Sequence, residues 1–93
     1  MNQLKTLDIS AHEQLRILSC VENQLETLLL PDTSTVEQLW CCENQLTELD
    51  VSRMNKLEWL YCDYNKITRL VINSAELYEL NCGKNQLSEL ILN

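Results

Sequence analysis

Apolar and polar positions along the 93-residue chain alternate in short bursts that recur at a nearly fixed distance. Leu18/Cys20, Leu39/Cys41, Leu60/Cys62 and Leu80/Cys82 each flank one polar-tolerant position, the period-2 mark of a strand with one buried face. These cysteines are 21, 21 and 20 residues apart, and Asn23, Asn44, Asn65 and Asn85 follow three residues behind them. Leu25, Leu46, Ile67 and Leu87 keep the same spacing. Repetition at so short a period is the signature of a solenoid. Successive coils run the same way, so strands near 17–21, 38–42, 59–63 and 79–83 are predicted to pair as a parallel sheet with a spacing of about 4.8 Å. A second alternating segment, Leu28/Leu30, Leu49/Val51, Leu70/Ile72 and Leu90/Leu92, is expected to return across the convex side, extended or loosely turned. The linker to the next coil has five residues, or four over Asn73–Glu76, too few for an α-helix.

Stacked, the unit reads LxxLxCxxNxLxxLxLxxxxx, as in VEQLWCCENQLTELDVSRMNK and LEWLYCDYNKITRLVINSAE. It resembles the leucine-rich repeat, and the 21-residue length with Cys in the third apolar slot is similar to bacterial repeats of the internalin J kind. The resemblance covers essentially the whole chain. It implies an α/β repeat solenoid: a right-handed superhelix with a short parallel concave sheet, little or no helix and no caps. One domain, 1–93, is expected, with a partial coil over 1–14 and coils starting near 15, 36, 57 and 77. The chain departs from internalins in showing neither a helical N-terminal cap nor an immunoglobulin-like segment. Asn2, Leu4, Leu7 and Ile9 occupy the slots of Asn23, Leu25, Leu28 and Leu30, so the chain opens, and at Leu92-Asn93 closes, halfway through a coil. The expectation is an excised piece of a longer array or a small protein that buries its ends, as a two-fold homodimer, through self-association.

Composition narrows the function classes. With 45% apolar and 23% charged residues the chain is not disordered in type, and with one Gly and one Pro it lacks the turn-formers of a hairpin-rich sandwich. A net charge of −7 argues against nucleic acid as a partner. No apolar run is long enough for membrane insertion, and the N-terminus lacks the features of a signal peptide. Five cysteines without a pairing pattern favour a reducing cytoplasm for the chain as it stands, and a secreted or cell-surface setting if it belongs to a longer protein.

The one-per-coil cysteines are unlike the tight pairs of metal sites and read as small buried hydrophobes, with no metal and no cofactor expected. Cys42 falls on an outward position as an accessible thiol. The asparagines are placed to bond the turn backbone within and between coils. His12, the only histidine, sits in a convex linker with no paired nucleophile or acid, and no carboxylate pair converges for hydrolysis, so no catalytic residue is assigned.

The outward slots of the four predicted strands carry the candidate function. Trp40, Trp59, Tyr61, Tyr64 and Tyr78, all of the aromatic residues, fall there and none falls in a core slot. Exposed Trp and Tyr in a cluster are the usual anchors of an interface. The same slots hold six acids and two bases, a net −4, with Asp63 and Glu79 among the acids and Gln38 and Asn81 as hydrogen-bonding neighbours. The favoured reading is a non-enzymatic module that binds a protein with basic and apolar groups. The alternatives are a carbohydrate- or glycoprotein-binding adhesin fragment and a purely structural repeat segment. The bland account of the same residues is cross-coil packing of bulky side chains on parallel strands.

Overall fold

Each coil contributes one strand to a front sheet and one to a back face. The computed structural model describes residues 4–11, 14–30, 35–73 and 75–92; Asn2 and His12 lie outside them. Among the described residues there are nine strands and no helix: β1 (Thr6–Asp8), β2 (Ile17–Ser19), β3 (Thr27–Leu29), β4 (Gln38–Trp40), β5 (Glu48–Val51), β6 (Trp59–Tyr61), β7 (Arg69–Ile72), β8 (Glu79–Asn81) and β9 (Glu89–Leu92). The front sheet has the order β2-β4-β6-β8, all parallel, with Leu18, Leu39, Leu60 and Leu80 in one row. The chain is thus a parallel-strand β-solenoid of about four turns.

Two features differ from the expected pattern. The front strands are three residues long rather than five, because the chain leaves the sheet early. Cys20, Cys41 and Cys62 still donate across to Trp40, Tyr61 and Asn81 at 2.8 Å, but Glu22, Glu43, Tyr64 and Lys84 then take left-handed φ values of 56, 60, 57 and 55°. None of the four is glycine, and such a conformation costs an ordinary residue roughly 1–2 kcal/mol. It is held by inter-coil bonds from the amides of Glu22, Glu43 and Tyr64 to the carbonyls of Cys42, Asp63 and Gly83. The second is on the back. The returning segments are extended, one of the two conformations expected, and they go further by pairing into two parallel sheets, β1-β3 and β5-β7-β9. Their inward leucines, valines and isoleucines stack in register, Leu49 on Leu70 and Leu70 on Leu90, and that burial selects strand over turn. Between β3 and β5 the back face parts into a cleft of about 500 Å3, with Leu28, Leu30, Leu49 and Met54 along its walls.

The core is one cluster running the length of the coils. Leu39, Leu57, Leu60, Ile67 and Leu70 are fully buried, whereas Leu80, Cys82 and Leu87 of the last coil are only partly covered. Coverage falls because a solenoid coil is buried by its neighbours on both sides.

The asparagine ladder does what its spacing predicts. Asn65 Nδ2 donates to the carbonyls of Cys41 and Cys62 at 3.0 Å, and Asn65 Oδ1 accepts from Leu46 N–H at 3.1 Å. Asn44 and Asn85 repeat the arrangement one coil back and one coil on. Each side chain therefore stitches its own turn to the preceding coil.

All five cysteines are free thiols. Cys20, Cys41 and Cys62 are buried as expected; Cys82 is not, since it sits in the less covered last coil. Burial pushes the Cys20 thiol from its ordinary 9.0 up to about 11, and that of Cys62 up to about 12. Cys42, half-exposed, is also raised, by partial burial and then by the neighbouring Asp63 carboxylate. Because the buried thiols hold their protons more tightly folded than unfolded, their stabilisation is complete below about pH 9. It is lost as pH climbs through the folded values near 11 and 12. Maleimide labelling at pH 8 should modify Cys42 and Cys82 and spare the other three until denaturant is added, and the urea midpoint should fall steadily above pH 9. Rapid native labelling of Cys41 or Cys62 would show that the core is open.

Candidate interaction face

Parallel pairing fixes which outward side chains meet. Residues opposed in register across β2-β4-β6-β8 form two rows: Ile17–Gln38–Trp59–Glu79 and Ser19–Trp40–Tyr61–Asn81. Neighbouring strands are about 4.8 Å apart, close to the separation at which two rings stack. In the second row Trp40 and Tyr61 do so, with centroids 4.2 Å apart and planes at 21°. Trp59, two residues before Tyr61 on the same outward side of β6, lies 6.5 Å from that ring at 34°. Trp59 in turn meets Tyr78 at 5.6 Å and 43°. The four rings form one continuous chain, Trp40–Tyr61–Trp59–Tyr78, on the front sheet.

Tyr78 reaches this chain because the coil before it, 57–76, is one residue shorter than the others. Its amide donates to the Glu58 carbonyl at 2.8 Å, which sets Tyr78 in the row of Arg16, Glu37 and Glu58. Gln38 Oε1 accepts from the Trp40 indole Nε1–H at 3.2 Å and fixes the orientation of that ring. Trp40, Trp59 and Tyr61 are half-buried by mutual contact, whereas Tyr78 is 79% exposed.

The remaining predicted residues divide. Glu79 and Asn81 stand exposed on β8, at the ends of the two rows. Asn81 Oδ1 accepts from Gly83 N–H at 3.3 Å, bracing the turn. Tyr64 and Asp63 lie past the strand end. Tyr64 is on a left-handed turn in none of the three ring contacts, beside a groove it shares with Glu22, Glu43 and Gln45. Asp63 sits beside Cys42, its carbonyl accepting from Glu43 N–H. The turn backbone thus carries these two side chains away from the ring chain.

Two residues outside the predicted set join it. Glu58 and Glu76 line an opening together with Trp59 and Tyr78. Glu58 was legible as an outward acid. Glu76 is in the linker, and the four-residue length of that linker is the one sequence feature that points to it.

At the near end of the same row, the Arg16 guanidinium forks onto the Glu37 carboxylate, with Nη2–Oε1 at 3.0 Å and Nε–Oε2 at 3.3 Å. That carboxylate, and after it Glu58, raises the Arg16 pKa. Among the described residues, no three His, Cys, Asp or Glu side chains converge as a metal site, and no helix is long and apolar enough to cross a membrane.

The chain matches no protein-family model, no curated protein and no solved structure.

Proposed function

We propose that this protein is a non-enzymatic recognition module of the leucine-rich-repeat type, whose front sheet receives a protein partner carrying basic and apolar groups. The observation that supports the reading is the ring chain Trp40–Tyr61–Trp59–Tyr78, which runs from β4 across β6 to the residue before β8 on the outward side while the core below is filled by leucines and cysteines. Rings recruited for stability alone belong inside, where burial is complete. Held half-exposed against one another, they are a rigid apolar platform that loses little entropy when a partner covers it. Glu58 and Glu79 beside the platform make it complementary to a cationic partner rather than to a neutral sugar.

Selection of a displayed random-peptide library on the immobilised protein tests this. Enriched peptides are expected to combine Arg or Lys with apolar residues, and to bind more weakly as salt is raised. Trp40→Ala should reduce their affinity about 30-fold, equivalent to about 2 kcal/mol at a hot-spot residue. Peptides that bind Trp40→Ala equally well, or salt-indifferent binding of glycans in place of peptides, would overturn the proposal.

A further inference from the structure

Glu58, Trp59, Glu76 and Tyr78 surround an open notch of about 460 Å3 at the far end of the ring chain. Its two rings, 5.6 Å apart and inclined at 43°, form the walls of a V rather than a closed stack, and Tyr78 is the most exposed ring on the protein. The other two walls are carboxylates. Among the described residues neither Glu58 nor Glu76 takes part in an ion pair; the pairs present are Arg16–Glu37 and Arg69–Glu89.

We propose that this notch is a subsite for an arginine guanidinium presented by the partner, seated against the Trp59 and Tyr78 rings and bonded by Glu58 and Glu76. The inference rests on the reading of the front sheet as a protein-binding face and names the group that face selects. Three physical points converge on it. Indole and phenol faces attract cations, and a planar guanidinium stacks on them while its edge bonds carboxylates as a fork. Two carboxylates outside any ion pair among the described residues, beside a half-desolvated indole, leave a local negative potential that an incoming guanidinium neutralises. The protein also makes the same type of contact within its own chain: one slot-row position away from Glu58, Arg16 forks onto Glu37. Along the row Arg16–Glu37–Glu58–Tyr78, a guanidinium occupies the first acid and none occupies the second. A lysine ammonium supplies the charge without the plane, so it fills the V less well.

The test is an NMR titration of the intact chain with three capped tripeptides, Gly-Arg-Gly, Gly-Lys-Gly and the citrulline analogue, which keeps the arginine shape without its charge. The chain has two tryptophans, so Trp40 and Trp59 report separately through their indole N–H signals. The arginine peptide is expected to shift Trp59 saturably, the lysine peptide more weakly, and the citrulline peptide not at all. Tyr78→Ala, at a site too exposed to endanger folding, should weaken the arginine peptide about two- to fivefold. Glu58→Gln with Glu76→Gln should do at least as much and flatten the salt dependence. An equal Trp59 shift with citrulline, an unchanged titration in Tyr78→Ala, or no saturable Trp59 shift at tens of millimolar peptide would overturn the proposal. If arginine shifts Trp40 and leaves Trp59 unmoved, the notch is wrong and the front sheet still binds cationic peptide. Library-selected peptides indifferent to Trp40→Ala would instead remove the reading on which the notch rests.

Discussion

Asn65→Ala is expected to lower stability by about 3 kcal/mol or more, a large share of the ~5–14 kcal/mol available to a chain of 93 residues. The amide of Asn65 is buried and used on both sides: its Nδ2 serves the carbonyls of Cys41, Cys62 and Asp63, and its Oδ1 serves the Leu46 amide. Alanine removes all of these bonds and brings no replacement. The Leu46 N–H is left inside the turn without a partner, at about 1–3 kcal/mol if it stays dry, while the Cys41 and Cys62 carbonyls each fall back on a single asparagine donor, Asn44 and Asn85, at about 0.5–1.5 kcal/mol for each bond lost. The loss also falls in the middle of the solenoid, where it uncouples one coil from the next. Asn23→Ala makes the informative comparison. Its Nδ2 bonds the Cys20 and Val21 carbonyls, yet its buried Oδ1 has no partner. Urea unfolding should therefore rank Asn65→Ala and Asn44→Ala well below Asn23→Ala in midpoint. Equal losses at all three sites would mean that the inter-coil bond contributes nothing beyond the local turn.

Leu60→Ala is expected to cost about 2–5 kcal/mol, whereas Tyr61→Ala, its immediate neighbour, should cost no more than about 0.5–1.5 kcal/mol. Leu60 is fully buried, faces inward from β6, and lies between Leu39 and Leu80 in the core row. Truncation leaves a cavity that flanking strands cannot close, because their spacing is fixed by the backbone ladder. Tyr61 points outward, and its stability contribution is mainly the stack on Trp40 and a looser contact with Trp59. Peptide affinity should rank the other way, falling with Tyr61→Ala and unchanged in Leu60→Ala protein that remains folded. Should Tyr61→Ala unfold as readily as Leu60→Ala, the ring chain is a packing element and not a receptor surface.

The inward ladders were legible because each is a repeated choice of residue type. Leu39 and Leu60, Cys41 and Cys62, and Asn44 and Asn65 recur at one interval and meet their copies across it. The back strands were half-legible: Leu49/Val51 and Leu70/Ile72 show the alternation, but only their stacking in register turns it into a sheet. In the candidate site, membership of the ring chain was readable for Trp40, Trp59, Tyr61 and Tyr78, and the outlying position of Tyr64 was not. Tyr64 shares their outward slots on paper, yet the left-handed turn at φ 57° carries it off the sheet.

Residue order alone determines the period, the parallel register and the identity of the buried rows. In a solenoid the coil length is itself the register, so residues one repeat apart must lie side by side. The shape of the working surface is decided only by the folded chain. Ring angles, the parting of the back face between β3 and β5, and the meeting of Glu76 with Glu58 at the Trp59–Tyr78 notch depend on turns and linkers that do not repeat. The 20-residue spacing into the last coil already places Tyr78 in the row of Glu58, but the tilt that brings its ring to 5.6 Å from Trp59 is set by the backbone path, on which the periodic pattern is silent.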